Sequence, residues 1–355
     1  MDRRKTKEVR IGNIYIGGEN PIRIQSMTNV SSDRYDLIIR QIKELEKAGC
    51  EIVRLAVPKT ENAEIFKIAK KEGITVPLVA DIHFDYKIAL ESIKSGADKI
   101  RINPGNIGEK WKVKEVAEAC KSKGLPIRIG VNSGSLSKSV LTKYGGPTAE
   151  AIAASALEEI ETLESCGFDD IVVSIKSSNI ETMVRSTEII ARETELPIHL
   201  GVTEAGDGYS GLIKNAIGIG TLLLNGIGDT LRVSLTADPV EEVRAGREIL
   251  NSLKLNKKGC IDIISCPTCG RTRVNLIETV AKFKSALDSV DTKGKTITVA
   301  IMGCVVNGPG EAREADYGVA GAEGEFLLFK KGIPVKKIPE SDAVDCLVSM
   351  IENEI

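Results

Sequence analysis

The chain has 355 residues, with 50 acidic against 48 basic side chains and a formal net charge of −2. There is no broad basic field to attract nucleic acid or an anionic membrane, and no apolar run approaches the ~20 residues a membrane-spanning helix needs. The length suits one large domain and a smaller one, and 42% hydrophobic residues suffice for both cores.

The N-terminus, Met1-Asp2-Arg3-Arg4-Lys5, is charged and leads into no apolar signal core, so a cytoplasmic protein is expected. From there to about residue 255, eight short apolar runs alternate with amphipathic helical segments. The runs are 22–27, 52–57, 76–82, 99–103, 126–132, 170–176, 197–204 and 229–235, with helical patterns such as 36–47 and 148–165 between them. Strand–helix alternation predicts a parallel sheet, and eight units fit a closed (β/α)8 barrel of the TIM type. Helices stop at Gly49, Gly96 and Gly167, whereas strands 3, 5 and 7 are entered through Val76-Pro77, Leu125-Pro126 and Leu196-Pro197. This leaves a weak two-unit repeat, as paired βα units would. Asp238-Pro239 caps a last barrel helix over 240–253.

A polar junction, Asn256-Lys257-Lys258-Gly259, marks a change of style. The expected domains are 1–257, the barrel, and 258–355, a smaller α+β unit. The latter should hold a helix near 274–290, a strand over 296–302, a glycine-rich loop, a hairpin of 317–322 with 325–329, and a closing helix from Ser341 to 352.

Five predicted strands carry an arginine between apolar neighbours: Arg23, Arg54, Arg101, Arg128 and Arg232. Barrel strands are covered outside and packed inside, so such guanidiniums must meet carboxylates or an anionic ligand at the barrel mouth. Few strand acids are available, which favours the ligand. Asn103 shares a face with Arg101, and Asn132 with Arg128, while Lys176, Glu204 and Ser234 end strands 6, 7 and 8. C-terminal strand ends form the active face of this fold, and several bidentate donors there suit phosphate oxygens. His83 ends strand 3, where structural and site roles are equally open, and mid-strand His199 reads as a satisfied core residue. Glu204 is a carboxylate in a basic pocket, either an ion-pair partner or a proton donor to a leaving oxygen.

Eight cysteines in such a chain argue for thiols or metal ligands. Cys50, Cys120, Cys166 and Cys346 lie in or beside helix-like segments and read as small buried hydrophobes, and Cys260 stays open. Cys266-Pro267-Thr268-Cys269-Gly270 offers two thiolates, and Cys304 in Gly303-Cys304-Val305-Val306-Asn307-Gly308-Pro309-Gly310-Glu311 a third. A zinc knuckle would show a second Cys-x-x-Cys or a His pair, so three separated cysteines favour an iron–sulfur centre. Glu311 is either a surface acid or an oxygen ligand to a fourth iron.

With these motifs in order, together with Gln25-Ser26-Met27-Thr28-Asn29 and Arg101-Ile102-Asn103-Pro104-Gly105, the chain resembles the 4-hydroxy-3-methylbut-2-en-1-yl diphosphate synthase family nearly end to end. The resemblance implies one 4Fe-4S cluster per subunit, held by Cys266, Cys269, Cys304 and Glu311. It implies that the barrel binds 2-C-methyl-D-erythritol 2,4-cyclodiphosphate, whose ring opening and dehydroxylation consume two electrons. Substrate binding then falls on Arg54, Arg101, Asn103, Arg128, Asn132, Lys176, Arg232 and Ser234, and catalysis on His83 and Glu204. It further implies a homodimer, in which one subunit's cluster domain closes over the other's barrel, and a ferredoxin or flavodoxin donor. Without it, two rivals stand: a non-redox phosphate-binding barrel, such as a pterin-pathway synthase with a zinc-stabilised tail, and a non-catalytic electron carrier.

Overall fold

The computed structural model describes residues 2–287, 290–305, 310 and 312–355. They divide into two compact units between Leu253 and Lys254.

In the first unit eight strands form one parallel sheet. They are β3 Arg23–Met27, β4 Ile52–Ala56, β5 Leu78–Asp81, β6 Lys99–Ile102, β7 Ile127–Asn132, β8 Ile171–Lys176, β9 His199–Leu200 and β10 Thr230–Leu231. The hydrogen-bonded order is β8-β7-β6-β5-β4-β3-β10-β9, and a bridge from Val173 to Ile198 joins its two ends. The (β/α)8 barrel read from the alternation is therefore the observed fold. Helices cover its outside. The helix Tyr35–Lys47 buries Ile38, Ile39, Ile42 and Leu45, a stripe at the 3.6-residue period. The helix Tyr86–Ser95 ends on Gly96 at φ 99°, where a side chain would be strained, and β6 follows within three residues.

Two differences bear on the site. The last two expected strands, 197–204 and 229–235, shorten to two residues each, and their C-terminal parts leave the ladder as loops. A hairpin of β1 Val9–Ile11 and β2 Ile14–Ile16 was not expected. Its Val9, Ile11 and Ile16 pack on Ile52, Val79 and Val172, near the N-terminal ends of β4, β5 and β8. The hairpin thus stoppers the barrel floor, and each fully buried side chain contributes roughly 1.5–3 kcal/mol.

The second unit is a five-stranded mixed sheet in the order β11-β12-β13-β14-β15. The strands are β11 Cys260–Ser265, β12 Thr296–Met302, β13 Tyr317–Ala322, β14 Glu325–Lys330 and β15 Ile333–Pro339. β11, β12 and β13 run parallel, whereas β13–β14 is the expected antiparallel hairpin. The helices Leu276–Leu287 and Ala343–Glu354 share a core with the sheet, in which Phe283, Val299, Val319, Phe326 and Leu347 meet.

Candidate functional site at the barrel mouth and the cysteine loops

Alternation along the strands decides what the barrel interior contains. Lys99, Arg101 and then Asn103 share one face of β6; Arg128, Gly130 and Asn132 share one face of β7. Register sets them side by side, with Arg101 opposite Arg128, and Asn132 opposite Lys176 of β8. Gly130 leaves room for the Arg101 side chain. A Cβ on it would lie 2.7 Å from Nε and 2.8 Å from Nη2 of Arg101, whose guanidinium crosses the glycine.

Three carboxyl groups lie among these cations, and none of them was singled out from sequence as a site group. Asp81, the last residue of β5, sits 3.2 Å from Arg101 Nη1, 3.6 Å from Arg54 Nε and 3.7 Å from His83 Nε2. Burial opposes its ionisation, but Arg54, Arg101, Arg128 and His83 outweigh that and hold its pKa down at about 2. Arg54 also donates to Met27 Sδ at 2.9 and 3.1 Å. Arg232 makes a forked pair with Glu242 of the helix Pro239–Ser252, Nε at 3.1 Å and Nη2 at 3.0 Å. Glu242 further accepts from Ser26 Oγ and the Leu235 amide. The third carboxyl, Glu159 of the helix Ala149–Ser165, is pushed up to about 8 by burial despite the Arg101 charge, and so is largely protonated at neutral pH.

The supply of partners ends there. Arg128 is 1% exposed, and its Nε and Nη1 have no hydrogen-bond partner among the described residues. Burial, then the Arg54 and Arg101 charges, push its pKa well down. Lys176 is half-buried and is pushed down in the same way, by burial and then by Arg54, Arg232 and Arg128. Lys99 is wholly buried with no hydrogen-bond partner for Nζ among the described residues. Six basic side chains thus converge where, among the described residues, two carboxylates pair with them. A multiply charged anion is the chemical complement.

Arg23 is a correction to the set of strand arginines. It opens β3, at the end of the strand away from the mouth, and pairs with Glu51 at 2.8 Å. His83 lies at the rim with its side chain 55% exposed, and Asn103 is buried directly after β6. Ser234 is half-buried in the loop after β10, where its amide and carbonyl bond the Asn215 side chain. Glu204 is exposed in the loop after β9 with φ of 53°, a conformation costing a non-glycine residue roughly 1–3 kcal/mol. That loop is tied to its neighbours, since Thr236 N donates to Gly206 O at 3.1 Å. His199 is a core histidine as expected, with Nδ1 2.8 Å from Thr230 Oγ1, but it is only half satisfied, since its buried Nε2 has no hydrogen-bond partner among the described residues.

In the second unit, parallel pairing of β11 with β12 aligns Ser265 with Ile301, so both strands end on the same side. Cys266 and Gly303-Cys304 follow those ends directly. The Gly303 amide donates to Cys266 Sγ at 3.2 Å, and the Arg273 amide to Gly303 O at 2.9 Å. The Cys269 amide donates to Thr272 Oγ1 at 3.1 Å and the Thr272 amide to Cys269 O at 3.0 Å, closing the turn that follows Cys269. Cys266 and Cys304 are half-buried and Cys269 is exposed, and none of the three is in a disulfide. Among the described residues no three Cys, His, Asp or Glu side chains are gathered tightly enough for a single ion. An iron–sulfur cluster does not require that, because each iron takes its own ligand, and three thiols on adjacent loops with an amide aimed at one sulfur fit such a group. Glu311 lies outside the described residues. Cys50 and Cys120 are buried, and burial pushes both thiols up to about 12, as inert core residues should be.

Residues 6–247 match the GcpE TIM-barrel domain, and residues 262–353 the GcpE protein C-terminal domain. The chain belongs to the GcpE family. Among the family's relatives, a Clostridium perfringens protein is 56% identical over 354 residues, covering 99% of each chain. A Geobacter sulfurreducens protein is 51% identical over 348 residues, covering 98% of this chain and 97% of its own. Both are named 4-hydroxy-3-methylbut-2-en-1-yl diphosphate synthase (flavodoxin). Among solved structures, a type I 3-dehydroquinate dehydratase from Clostridium difficile aligns at TM-score 0.52 and 15% identity, covering 70% of this chain and 98% of its own. Dihydropteroate synthase from Thermus thermophilus aligns at 0.50 and 15%, covering 70% and 99%. At such identity these two share the barrel fold alone. No helix among the described residues is long and apolar enough to cross a membrane.

Proposed function

We propose that this GcpE chain converts 2-C-methyl-D-erythritol 2,4-cyclodiphosphate to 4-hydroxy-3-methylbut-2-enyl diphosphate by two-electron reduction. The excess of buried basic side chains over the carboxylates paired with them in the barrel, Arg128 foremost, carries this reading. A cyclic diphosphate brings the missing negative charge. Arg54, Arg101, Arg128, Lys176 and Arg232 hold the phosphate oxygens, and Asn103, Asn132 and Ser234 orient the ligand by hydrogen bonds. Asp81 fixes the directions of Arg54 and Arg101 before the ligand arrives. Glu204 delivers a proton to the leaving oxygen from the loop after β9, and His83 serves at the opposite rim beside Asp81.

Cys266, Cys269 and Cys304, with Glu311 as fourth ligand, hold a 4Fe-4S cluster in this reading. Bound there, it supplies electrons one at a time. Flavodoxin is the inferred donor, since the relatives' names specify it. The chain acts as a homodimer, and Tyr209, Ile213 and Ile217, exposed at four-residue spacing on the helix Gly208–Leu224, provide an apolar surface suited to a second copy.

Anaerobic purification with iron and sulfide analysis, followed by turnover with reduced flavodoxin, tests the reading. Near-stoichiometric cluster and formation of the allylic diphosphate are expected. A colourless protein with stoichiometric zinc that neither binds nor turns over the cyclic diphosphate would overturn it.

A further inference from the structure

Lys99 has no place in the scheme above, yet it is among the least comfortable residues in the molecule. It opens β6 on the inward face, two residues before Arg101, and is level with Val79 of β5. Val79 belongs to the apolar floor formed with the β1–β2 hairpin. The Lys99 stem therefore rises from a dry floor, and its Nζ is 0% exposed with no hydrogen-bond partner among the described residues. An ammonium so placed has lost its water and gained nothing in return.

The charges around it make matters worse. Arg54 on β4 and Arg128 on β7 both act on it unfavourably. Arg101 lies above it on its own strand, Lys176 ends β8, and His199 on β9 feels its charge. Asp81 on β5 is committed to Arg54, Arg101 and His83, and Glu242 to Arg232, Ser26 and Leu235. Asp98, the preceding residue, turns its carboxylate to the Leu78 amide at 2.8 Å. The hairpin presents only Val9, Ile11, Ile14 and Ile16 to the floor. Burial and the two guanidiniums push the Lys99 pKa well down, consistent with a neutral amine in the empty barrel.

We propose that Lys99 takes up a proton from solvent when the cyclic diphosphate binds, becoming an ammonium beneath the phosphates and making binding proton-linked. This rests on the ligand proposed above. A diphosphate cancels the guanidinium charges that oppose an ammonium at Lys99 and brings negative charge into the same barrel interior. Both changes favour the ammonium. Lys99 is then a positioning residue, acting on the ligand through the field it shares with Arg54 and Arg128.

Titration calorimetry of the holoenzyme with the cyclic diphosphate, anaerobic and without reductant, provides the test. Runs at one pH in buffers of differing ionisation enthalpy yield the protons taken up per barrel. Lys176 is expected to contribute as well, so the readout is a difference: Lys99→Met should take up about one proton fewer than the unmodified protein. Its affinity should also lose up to tenfold less per pH unit as the pH rises. Lys99→Gln carries the same comparison if Met at this position does not fold. Equal proton uptake in the substituted and unmodified proteins would overturn the proposal while leaving the function intact. No binding by the unmodified holoenzyme would overturn the function itself, and the proposal with it.

Discussion

Arg128→Met should make the empty enzyme more stable and its substrate site nearly useless. The guanidinium is 1% exposed with Nε and Nη1 unpartnered among the described residues. Each buried donor left unmade costs about 1–3 kcal/mol, so the two together burden the ligand-free barrel by roughly 2–6 kcal/mol. Methionine keeps much of the side chain's reach without the charge. Replacing buried ionic groups by apolar ones of similar volume is commonly neutral or stabilising by about 1–4 kcal/mol. For a unit of this size, ~1 kcal/mol moves the melting temperature by about 2–4 °C, so a rise of several degrees is expected. Binding should move the other way. Loss of a desolvated charge-assisted contact costs about 2–5 kcal/mol, which weakens affinity by roughly 30- to 5,000-fold. Thermal melts without ligand, paired with titration calorimetry of the cyclic diphosphate, read both quantities on one preparation. A variant that melts lower than the unmodified protein, or that binds equally well, would refute the reasoning.

Gly130→Ala should fold, because the clash is with the movable end of Arg101, but it displaces that guanidinium from Asp81; a raised KM with an unchanged cluster spectrum is expected. Asp81 supplies acid-sensitive stability. Its folded pKa, about 2 against an ordinary 3.8, is depressed, so a contribution on the order of 2 kcal/mol is complete above pH ~5 and is lost as pH falls toward 2. Denaturant unfolding of the unmodified protein and Asp81→Asn should therefore differ most near neutrality and converge in acid. Cys269→Ser should abolish stoichiometric iron and sulfide while leaving the melting of the barrel unit unchanged, as checked by metal analysis and calorimetry.

The barrel was legible because strands buried on both faces read as continuous apolar runs, and Ile52–Ala56 or Ile171–Lys176 cannot be mistaken for exposed strands. The site arginines were legible for the same reason, since a guanidinium in such a run has no solvent to meet. Their sorting was not. Whether Arg23 meets a ligand depends on which end of β3 it occupies, and its partner Glu51 lies 28 residues away. Asp81 was within reach, because alternation from His83 puts both on one face of the strand, and the same step from Arg101 leads back to Lys99. Glu159 gave no signal: an acid on an amphipathic helix reads as solvated until the fold buries it. The three-residue strands of the β1–β2 hairpin were too short for any periodicity to be seen.

The uneven pairing of these cations has a thermodynamic logic. Arg232 is forked onto Glu242, and Arg54 and Arg101 share Asp81, so three guanidiniums are aimed before the ligand arrives. Preorganisation lowers what binding must spend on ordering side chains. Arg128 Nε and Nη1 and Lys99 Nζ are instead left without hydrogen-bond partners among the described residues, and an anion relieves that burial. A carboxylate placed opposite Arg128 would stabilise the ligand-free protein, but a phosphate would then have to displace it or face its repulsion. Whatever stability such a pair added to the empty state would be subtracted from affinity. The barrel therefore divides its arginines between those held ready by carboxylates and one kept hungry for charge, and Arg128→Met separates the two roles because it removes only the second.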